Sequence, residues 1–145
     1  MARAKIDTFR GEYFFLSNFY SVPVTYDGLT YQNNEAAFQA QKVFDPEEKK
    51  SFTDLSPRDA KKRGRQAALR SDWEKVKISI MEEIVRTKFL QHEDLKEKLL
   101  STGDALLVEG NTWNDRFWGV DKRSRTGKNH LGQILMKVRR ELQGF

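Results

Sequence analysis

Residues 73–89, WEKVKISIMEEIVRTKF, decide the fold, because their apolar side chains recur at the spacing of an α-helix. This recurrence makes one broad apolar face of Trp73, Val76, Ile80, Met81, Ile84, Val85 and Phe89. A helix with such a face is stable when other elements of the protein cover it. The stretch therefore predicts a long helix at the centre of the hydrophobic core.

A β-hairpin is predicted upstream of this helix. Apolar residues alternate with others in residues 22–26, and the alternation resumes in residues 29–31 after Asp27 and Gly28. Asp-Gly tolerates the positive φ angles of a two-residue turn whose twist suits the flanking strands.

Two helices are predicted between this hairpin and the long helix. Asn33 or Asn34 caps the first, which we expect to run to about Phe44 and to stop at Pro46. Ser56 begins the second by a capping hydroxyl, and proline and aspartate follow in its first turn. Gly64 lies in the middle of this second helix, where we expect it to pack closely against another backbone or a ligand.

Downstream, the pattern predicts a helix over residues 93–101, strands over 105–108 and 117–120, and a final helix capped by Asn129. The whole chain is therefore expected to be a single α+β domain, residues 1–145, predominantly helical with small β-hairpin elements.

Composition excludes several classes of site. The 145 residues contain no cysteine and only two histidines, so disulfides and thiolate catalysis are excluded and we expect no metal. No cofactor is expected either. The chain has no apolar run long enough to cross a membrane and no leader-like start, from which we expect a cytoplasmic protein, with a monomer favoured.

Positive charge is concentrated in residues 57–70, the predicted second helix and the residues that follow it. The chain carries +5 in total, and this segment holds six basic residues against one acid: Arg58, Lys61, Lys62, Arg63, Arg65 and Arg70 against Asp59. Lysine and arginine in such a cluster bind the phosphates of nucleic acids. A solvated surface helix is the alternative, and charge alone favours it.

The segment TGKNHLG, residues 126–132, resembles a phosphate site because glycine, lysine and a capping asparagine precede a helix. It is not a P-loop, since Lys122 and Asn129 replace the first glycine and the hydroxyl residue of that motif. An ordinary loop and helix cap would need no ligand.

Several carboxylates lie beside apolar or aromatic residues: Glu35, Glu109, Asp115 and Asp121. Each alone is more typical of a helix cap or a salt-bridge partner. Two of them at one pocket would suit chemistry at a glycosidic bond, where one stabilises positive charge on the sugar and the other manages protons.

Six short motifs occur in one order along the chain. They are LSNF (16–19), NEAAFQAQK (34–42), SDWE (71–74), KF (88–89), NDRFWG (114–119) and GKNHLG (127–132). Through these motifs the chain resembles the YbiA/NADAR family, whose name abbreviates NAD- and ADP-ribose-associated. The resemblance runs from about Phe14 to Leu142.

The resemblance implies a YbiA-like N-glycosidase that hydrolyses the N-glycosidic bond of a ribosylated nitrogen compound. Its substrate would be a phosphoribosylamino-pyrimidine intermediate of riboflavin synthesis or ADP-ribosyl-guanine in nucleic acid. The partner is thus a nucleotide-like small molecule or an ADP-ribosylated nucleic acid, with no membrane. A non-catalytic ADP-ribose or NAD binder and a nucleic-acid-binding module are the alternatives.

Residue by residue, the resemblance implies the catalytic residues Glu35, Asp115 and Trp73. Glu35 would stabilise the sugar cation, Asp115 would orient or deprotonate water, and Trp73 would wall the pocket or stack on the base. The expected substrate-binding residues are Ser17, Asn18, Phe19, Lys88, Trp118, Gly127, Lys128 and Asn129. Among these, Lys88, Lys128 and the Asn129 amide are the candidate phosphate contacts.

Overall fold

The computed structural model describes residues 3–144. In chain order its elements are β1 (Lys5–Ile6), a 3₁₀ helix (Gly11–Leu16), β2 (Ser21–Tyr26), β3 (Leu29–Asn33), α1 (Asn34–Ala40), α2 (Pro46–Lys50), α3 (Pro57–Gln66), α4 (Trp73–Gln91), α5 (Glu93–Ser101), β4 (Leu106–Leu107), β5 (Gly110–Asn111), β6 (Val120–Asp121) and α6 (His130–Leu142). Helices predominate over short strands, which confirms the predicted α+β class.

These elements form two compact units. The central unit is Asn18–Gln91, and the terminal unit combines residues 3–17 with residues 92–144. That the whole chain acts as one domain stays a prediction. No helix in residues 3–144 has both the length and the apolar character that a membrane span needs.

In the central unit, β2 and β3 form the predicted antiparallel hairpin. Asp27 and Gly28 have φ angles of 50° and 85°, the left-handed conformation that a two-residue hairpin turn requires. Val24 and Tyr31 pair across the strands, and both are fully buried on the inner face.

The first helix of the central unit is shorter than predicted. The side chain of Asn33 caps α1 by accepting from the amide of Ala36 at 2.7 Å, but α1 ends at Ala40 rather than near Phe44. Beyond that end, the carbonyl of Lys42 accepts a hydrogen bond from the amide of Arg70 at 2.8 Å. A tertiary contact thus engages backbone that a longer helix would have used.

Pro46, which is predicted to stop the first helix, is instead the first residue of the short helix α2. The next two helices follow the prediction. The hydroxyl of Ser56 caps α3 by accepting from the amide of Asp59 at 3.1 Å. Helix α4 buries most of the predicted apolar face, and Lys88 is buried with it: the buried residues are Trp73, Ile80, Met81, Ile84, Val85, Lys88 and Phe89.

In the terminal unit, two-residue strands pair in parallel, β1 with β4 and β5 with β6. The predicted strand over residues 105–108 is reduced to β4, and the one over 117–120 is largely wrong, because β6 begins only at Val120. Side-chain oxygen of Asp115 binds the amides of Phe117 and Trp118, which therefore make no strand ladder. Helix α5 has the predicted bounds, and Gly103 follows it at a φ of 64°.

The final helix, α6, follows Asn129 as predicted, so Asn129 is its N-cap residue, but the expected side-chain capping bond is absent. The side chain of Asn129 makes no capping bond; its Oδ1 accepts from the amide of Glu109 at 3.0 Å, and its Nδ2 donates to the carbonyl of Leu107 at 3.0 Å. Gly132 allows this approach, because a Cβ there would lie 2.2 Å from the Leu107 carbonyl oxygen.

Candidate active site

Glu35 lies in the first turn of α1 and is 9% exposed. Its amide donates to the carbonyl of Asn18 at 3.0 Å, and its carboxylate Oε2 accepts from Nε2 of Gln39 at 2.6 Å. A hydrogen bond to a charged oxygen is shorter and stronger than one between neutral groups, and it stabilises the ionised form. The amide of Gln39, a neutral donor, therefore orients the carboxylate of Glu35.

Gln39 is itself held by α3. It is 5% exposed, and its Oε1 has no hydrogen-bond partner among the described residues. A Cβ on Gly64 would lie 1.9 Å from that oxygen. The close packing expected at Gly64 is confirmed, but the neighbour is this glutamine side chain rather than a backbone or a ligand. Only glycine at this position leaves room for the Gln39–Glu35 bond.

Lys42 lies beside the same two helices. Its ammonium is 3.5 Å from the carbonyl oxygen of Gly64. Burial lowers the pKa of Lys42, the carboxylate of Glu35 raises it, and the charges of Arg65, Lys61 and Lys77 lower it further. The amine of Lys42 and the carboxylate of Glu35 thus interact electrostatically.

Trp73 begins α4 and is 5% exposed. Its ring packs against Phe38 of α1, with centroids 5.1 Å apart and planes at 51°. Protein covers most of this ring, so the surface left for a stacked base is small. Its catalytic role stays a prediction.

Asn18 and Phe19 lead into the hairpin. Asn18 is 8% exposed, and besides its carbonyl bond to Glu35 its side chain contacts Asn34 and the sulfur of Met81. Phe19 is 39% exposed, with the ammonium of Lys61 6.0 Å from its ring centroid. The structure therefore places Asn18 beside Glu35. The substrate contacts expected of Asn18 and Phe19 stay predictions.

Lys88 is 1% exposed on the buried face of α4. Its ammonium lies 5.4 Å from the ring centroid of Tyr20, and burial lowers the pKa of Lys88 to about 7. A lysine at this depth is partly neutral near neutral pH, unlike a surface phosphate contact. The signal was visible in the sequence, because Lys88 falls on the apolar stripe of Met81, Ile84 and Val85.

In the terminal unit, Asp115 organises its own loop. Its Oδ1 accepts from the amides of Phe117 at 3.0 Å and Trp118 at 2.9 Å, and its own amide donates to the side chain of Asn111. The Asn111 side chain is buried, and its Nδ2 donates to the Asp115 carbonyl at 2.9 Å. The carboxylate thus has a structural task, and its catalytic role stays a prediction.

The phosphate contact expected at the Asn129 amide stays a prediction, and in the structure that amide donates to the carbonyl of Gly119 at 3.2 Å. The neighbouring amides are engaged in the same way. Those of Lys128, His130 and Leu131 donate to the carbonyls of Arg116, Phe117 and Trp118. The start of α6 is therefore closed by backbone and offers no set of unpaired amides to an anion.

The other expected substrate contacts of the terminal unit lie around this loop. Gly127 has a φ of 153° and sits against Gly119, where a Cβ would lie 2.2 Å from the Gly119 carbonyl oxygen. Trp118 is half-buried, and Lys128 is exposed with its ammonium 5.9 Å from the ring of Phe117. Ser17 ends the 3₁₀ helix, where its amide donates to the carbonyl of Phe14.

A polar cavity of about 520 Å³ opens in the terminal unit; the candidate carboxylate Asp121 lines it, but none of the predicted catalytic or substrate-binding residues does. Its walls are Thr112, Asn114, Arg116, Asp121, Arg123 and Ser124. Hydrogen bonds from Ser124 lower the pKa of Asp121, whose carboxylate closes the turn before Thr126. In residues 3–144, no three His, Asp or Glu side chains are grouped so that they could hold a metal ion.

Sequence reasoning missed the supporting residues Gln39 and Lys42, and it found the close packing at Gly64 but not its partner. The four-residue spacing of Glu35 and Gln39 on one helix predicts that these side chains meet. The glycine in the middle of α3 signals a close contact at Gly64, but no local signal identifies Gln39, 25 positions away, as the neighbour.

Comparison with known proteins places the chain in context. Residues 7–143 match the NADAR domain. The N-glycosidase YbiA of Escherichia coli (strain K12) is 42% identical over 129 residues, which cover 87% of this chain and 79% of that protein. A riboflavin biosynthesis protein of Vibrio vulnificus (strain YJ016) is 40% identical over 132 residues, 89% of this chain but 35% of that protein.

Among solved structures, the NMR structure of E. coli YbiA matches with a TM-score of 0.85 at 37% sequence identity, covering 99% of this chain and 88% of that one. At this identity, the likeness extends beyond fold to the sequence itself.

Proposed function

The chain belongs to the NADAR domain family, and from this premise we propose that it is an N-glycosidase that hydrolyses the bond between ribose C1 and nitrogen in a ribosylated compound. The name of the E. coli relative, N-glycosidase YbiA, supports the reaction class. The observation that carries the mechanism is the buried Glu35 carboxylate held by Gln39 at 2.6 Å.

The reaction begins when the C1–N bond of the ribose breaks. The leaving nitrogen takes the bonding electron pair and a proton, and the sugar becomes an oxocarbenium ion. A carboxylate already fixed in a site with little water stabilises that cation without having to reorganise. Glu35 has this character, because it is buried and oriented by Gln39 before any substrate arrives. Water then adds to C1, keeps one hydrogen as the new hydroxyl and loses the other as a proton, which balances the proton that the leaving nitrogen took from solvent.

A phosphoribosylamino-pyrimidine is the substrate that we propose first. The name of the Vibrio relative, a riboflavin biosynthesis protein, supports a metabolite of this kind.

ADP-ribosyl-guanine in nucleic acid is the second candidate. Four basic side chains on α3 are exposed, namely Arg58, Lys62, Arg63 and Arg65. An exposed basic helix can hold a phosphate backbone through salt-dependent contacts.

A side-by-side assay tests both substrates. The protein is incubated with a phosphoribosylamino-pyrimidine and with ADP-ribosylated guanine DNA, and free ribose 5-phosphate, ADP-ribose and base are measured. Release from either substrate supports the N-glycosidase, and the faster one is assigned. Tight binding with no release from either would instead identify a non-catalytic binder.

The proposed steps use no metal ion, so turnover after exhaustive chelation should equal that of untreated protein. Strict dependence on an added divalent ion would contradict the proposed chemistry.

A further inference from the structure

The polar cavity of the terminal unit carries two arginines that the proposed hydrolysis does not use. Its volume is about 520 Å³, and its walls include Arg116 and Arg123, both exposed. Sites that hold whole small molecules measure about 300–1,000 Å³, so this cavity has room for a group larger than a single ion. Thr112 and Asn114 add a hydroxyl and a carboxamide to the same walls. The cavity thus offers cations and hydrogen-bonding groups to a polar ligand.

The charge around the cavity is positive on balance. Residues 112–128 hold five basic side chains against two acids. One of the acids, Asp121, lines the cavity, but it is 5% exposed and its Oδ2 accepts from the amide and the hydroxyl of Ser124. Among the described residues, neither Arg116 nor Arg123 forms an ion pair. The charge that a ligand meets in the cavity is therefore mainly that of its arginines.

Backbone hydrogen bonds order the cavity before any ligand binds. The amide of Lys128 donates to the carbonyl of Arg116 at 2.8 Å, which joins the loop after β6 to the loop before it. Within the loop after β6, the amide of Asp121 donates to the carbonyl of Thr126 at 2.9 Å. A site that is already ordered loses less conformational entropy when a ligand binds.

An exposed indole stands next to the cavity along the chain. Trp113 lies between the lining residues Thr112 and Asn114 and is 53% exposed, whereas Trp73 is buried and Trp118 is half-buried. An aromatic ring in water stacks on an unpaired nucleobase of any kind, because every base has a π face. A ring for a base and a cation for a phosphate thus occur within one short loop.

We propose that the cavity and Trp113 bind a single strand of nucleic acid. Arg116 and Arg123 hold phosphates of the strand, and an unpaired base stacks on the indole of Trp113. A guanidinium suits this role because it stays charged and donates to phosphate oxygens in a planar fork. An acidic polypeptide would satisfy the charges but not the indole. The assignment goes beyond the proposed N-glycosidase, since it needs neither Glu35 nor a ribosyl group on the strand.

Unmodified oligonucleotides test this site without any hydrolysis. Fluorescence anisotropy measures the affinity of the wild-type protein for labelled oligothymidine, oligouridine and a DNA duplex of the same length. We expect both single strands to bind more tightly than the duplex, with affinities that fall as salt rises. The tighter of the two single strands assigns the partner to DNA or to RNA. Absence of binding, or a duplex that binds as tightly as the strands, would overturn the proposal.

The double variant Arg116→Gln/Arg123→Gln tests the phosphate contacts. The slope of log affinity against log salt should become shallower by about 1.4, which is about 0.7 for each lost phosphate contact with a single strand. The matched control is Arg140→Gln, at an exposed arginine in the last turn of α6, about 15 Å along the helix axis from His130. This control should leave the slope unchanged. An unchanged slope in the double variant, or an equal change in Arg140→Gln, would overturn the site.

Two variants of Trp113 test the stacked base. Trp113→Leu should weaken single-strand binding about tenfold, whereas Trp113→Phe should retain most of the affinity because its ring still stacks. Strand binding should quench the tryptophan fluorescence of the wild-type protein, and this quench should vanish in Trp113→Phe although the strand still binds. Wild-type affinity in Trp113→Leu, or a quench that persists in Trp113→Phe, would exclude Trp113 as the stacking ring.

Competition and hydrolysis assays separate the remaining possibilities. Polyglutamate should displace the strand poorly, and displacement at equal charge concentration would instead identify a site for acidic polypeptides. Strand binding without hydrolysis of any riboside would support this site and overturn the proposed N-glycosidase. Hydrolysis of a phosphoribosylamino-pyrimidine without strand binding would overturn this site alone.

Discussion

The central unit and the terminal unit use their polar side chains in opposite ways. In the central unit, the carboxylate of Glu35 is buried and bonded to the side chain of Gln39, and the amine of Lys88 is buried against the ring of Tyr20. In the terminal unit, Asp115 binds backbone amides of its own loop, and the side chain of Asn129 binds backbone groups of Leu107 and Glu109.

This difference separates a group that chemistry can use from one that the fold already uses. A buried carboxylate that is oriented by a hydrogen bond from a neutral side chain can stabilise a developing cation. A carboxylate oxygen that accepts two backbone amides is committed to holding a loop. Glu35 and Asp115 are equal candidates for a catalytic role in the sequence, and their hydrogen-bond partners in the structure distinguish them.

The largest effect is expected at Glu35. Glu35→Gln keeps the size of the side chain but removes its charge, so turnover should fall about 100-fold or more, by analogy with other single electrostatic groups, while substrate still binds. Steady-state kinetics on the better substrate measures this. The matched control is Glu47→Gln, at an exposed residue in the first turn of α2, which should leave kcat unchanged. Near-normal turnover of Glu35→Gln would remove Glu35 from the chemistry.

The buried Lys88 should make stability depend on pH. Its pKa falls from 10.5 in the unfolded chain to about 7 in the folded protein, so between these values the unfolded chain binds one more proton. Stability therefore rises with pH over this window, by about 1.4 kcal/mol per pH unit from this group. Urea unfolding at pH 7.5 and 8.5 measures the rise.

Lys88→Met should lose that contribution, and Lys62→Met, at an exposed lysine, should retain it. If wild type and Lys88→Met show the same pH slope, Lys88 does not titrate in this window, and the contrast between the two units weakens.

A smaller effect on turnover is expected at Asp115. Asp115→Asn retains an oxygen that can accept from Phe117 and Trp118, so stability should change by less than about 0.5 kcal/mol. Turnover should fall about tenfold, which is roughly 1.4 kcal/mol in the barrier. Asp115→Ala removes both bonds and should destabilise the protein by about 1–3 kcal/mol. A loss of turnover in Asp115→Asn as large as that in Glu35→Gln would contradict the proposed difference between the two carboxylates.

The smallest effect on turnover is expected at Gly64. A methyl group there would meet Oε1 of Gln39, so Gly64→Ala should displace Gln39 from Glu35. We expect turnover to fall severalfold and stability to drop by about 1–3 kcal/mol, the usual cost of overpacking. Thermal unfolding and kcat are measured together.

The double variant Gly64→Ala/Gln39→Ala provides the control for this contact. This variant removes the collision but does not restore the hydrogen bond from Gln39 to Glu35. Stability should therefore recover while turnover stays low. Wild-type turnover in Gly64→Ala would show that Gln39 does not position Glu35.

Local signals predicted much of the fold. Asp27-Gly28, the caps at Asn33 and Ser56, and the apolar face of α4 all act within a few residues, and each is found in the structure. The errors occur where distant residues intervene. Arg70 binds the carbonyl of Lys42, beyond the early end of α1, and Asp115 withholds two amides from a predicted strand.

The site was less predictable than the fold. Glu35 was identified through family motifs, because its own sequence context equally suits a helix-terminal acid. Its bond to Gln39 follows helical spacing, but the glycine that fixes Gln39 lies on another helix. The closed start of α6 was hidden for the same reason, since the carbonyls that occupy its amides belong to the preceding loop, residues 116–119.

The central claim is that the buried carboxylate of Glu35 stabilises positive charge on the sugar. A protonated iminoribitol, in which a charged nitrogen mimics the cationic ring, reports this stabilisation as an affinity without any turnover. We predict that Glu35→Gln weakens its binding about 100-fold, in line with the expected loss of electrostatic stabilisation, and leaves the binding of uncharged ribose unchanged. Equal affinity of the charged mimic for wild type and Glu35→Gln would contradict the claim.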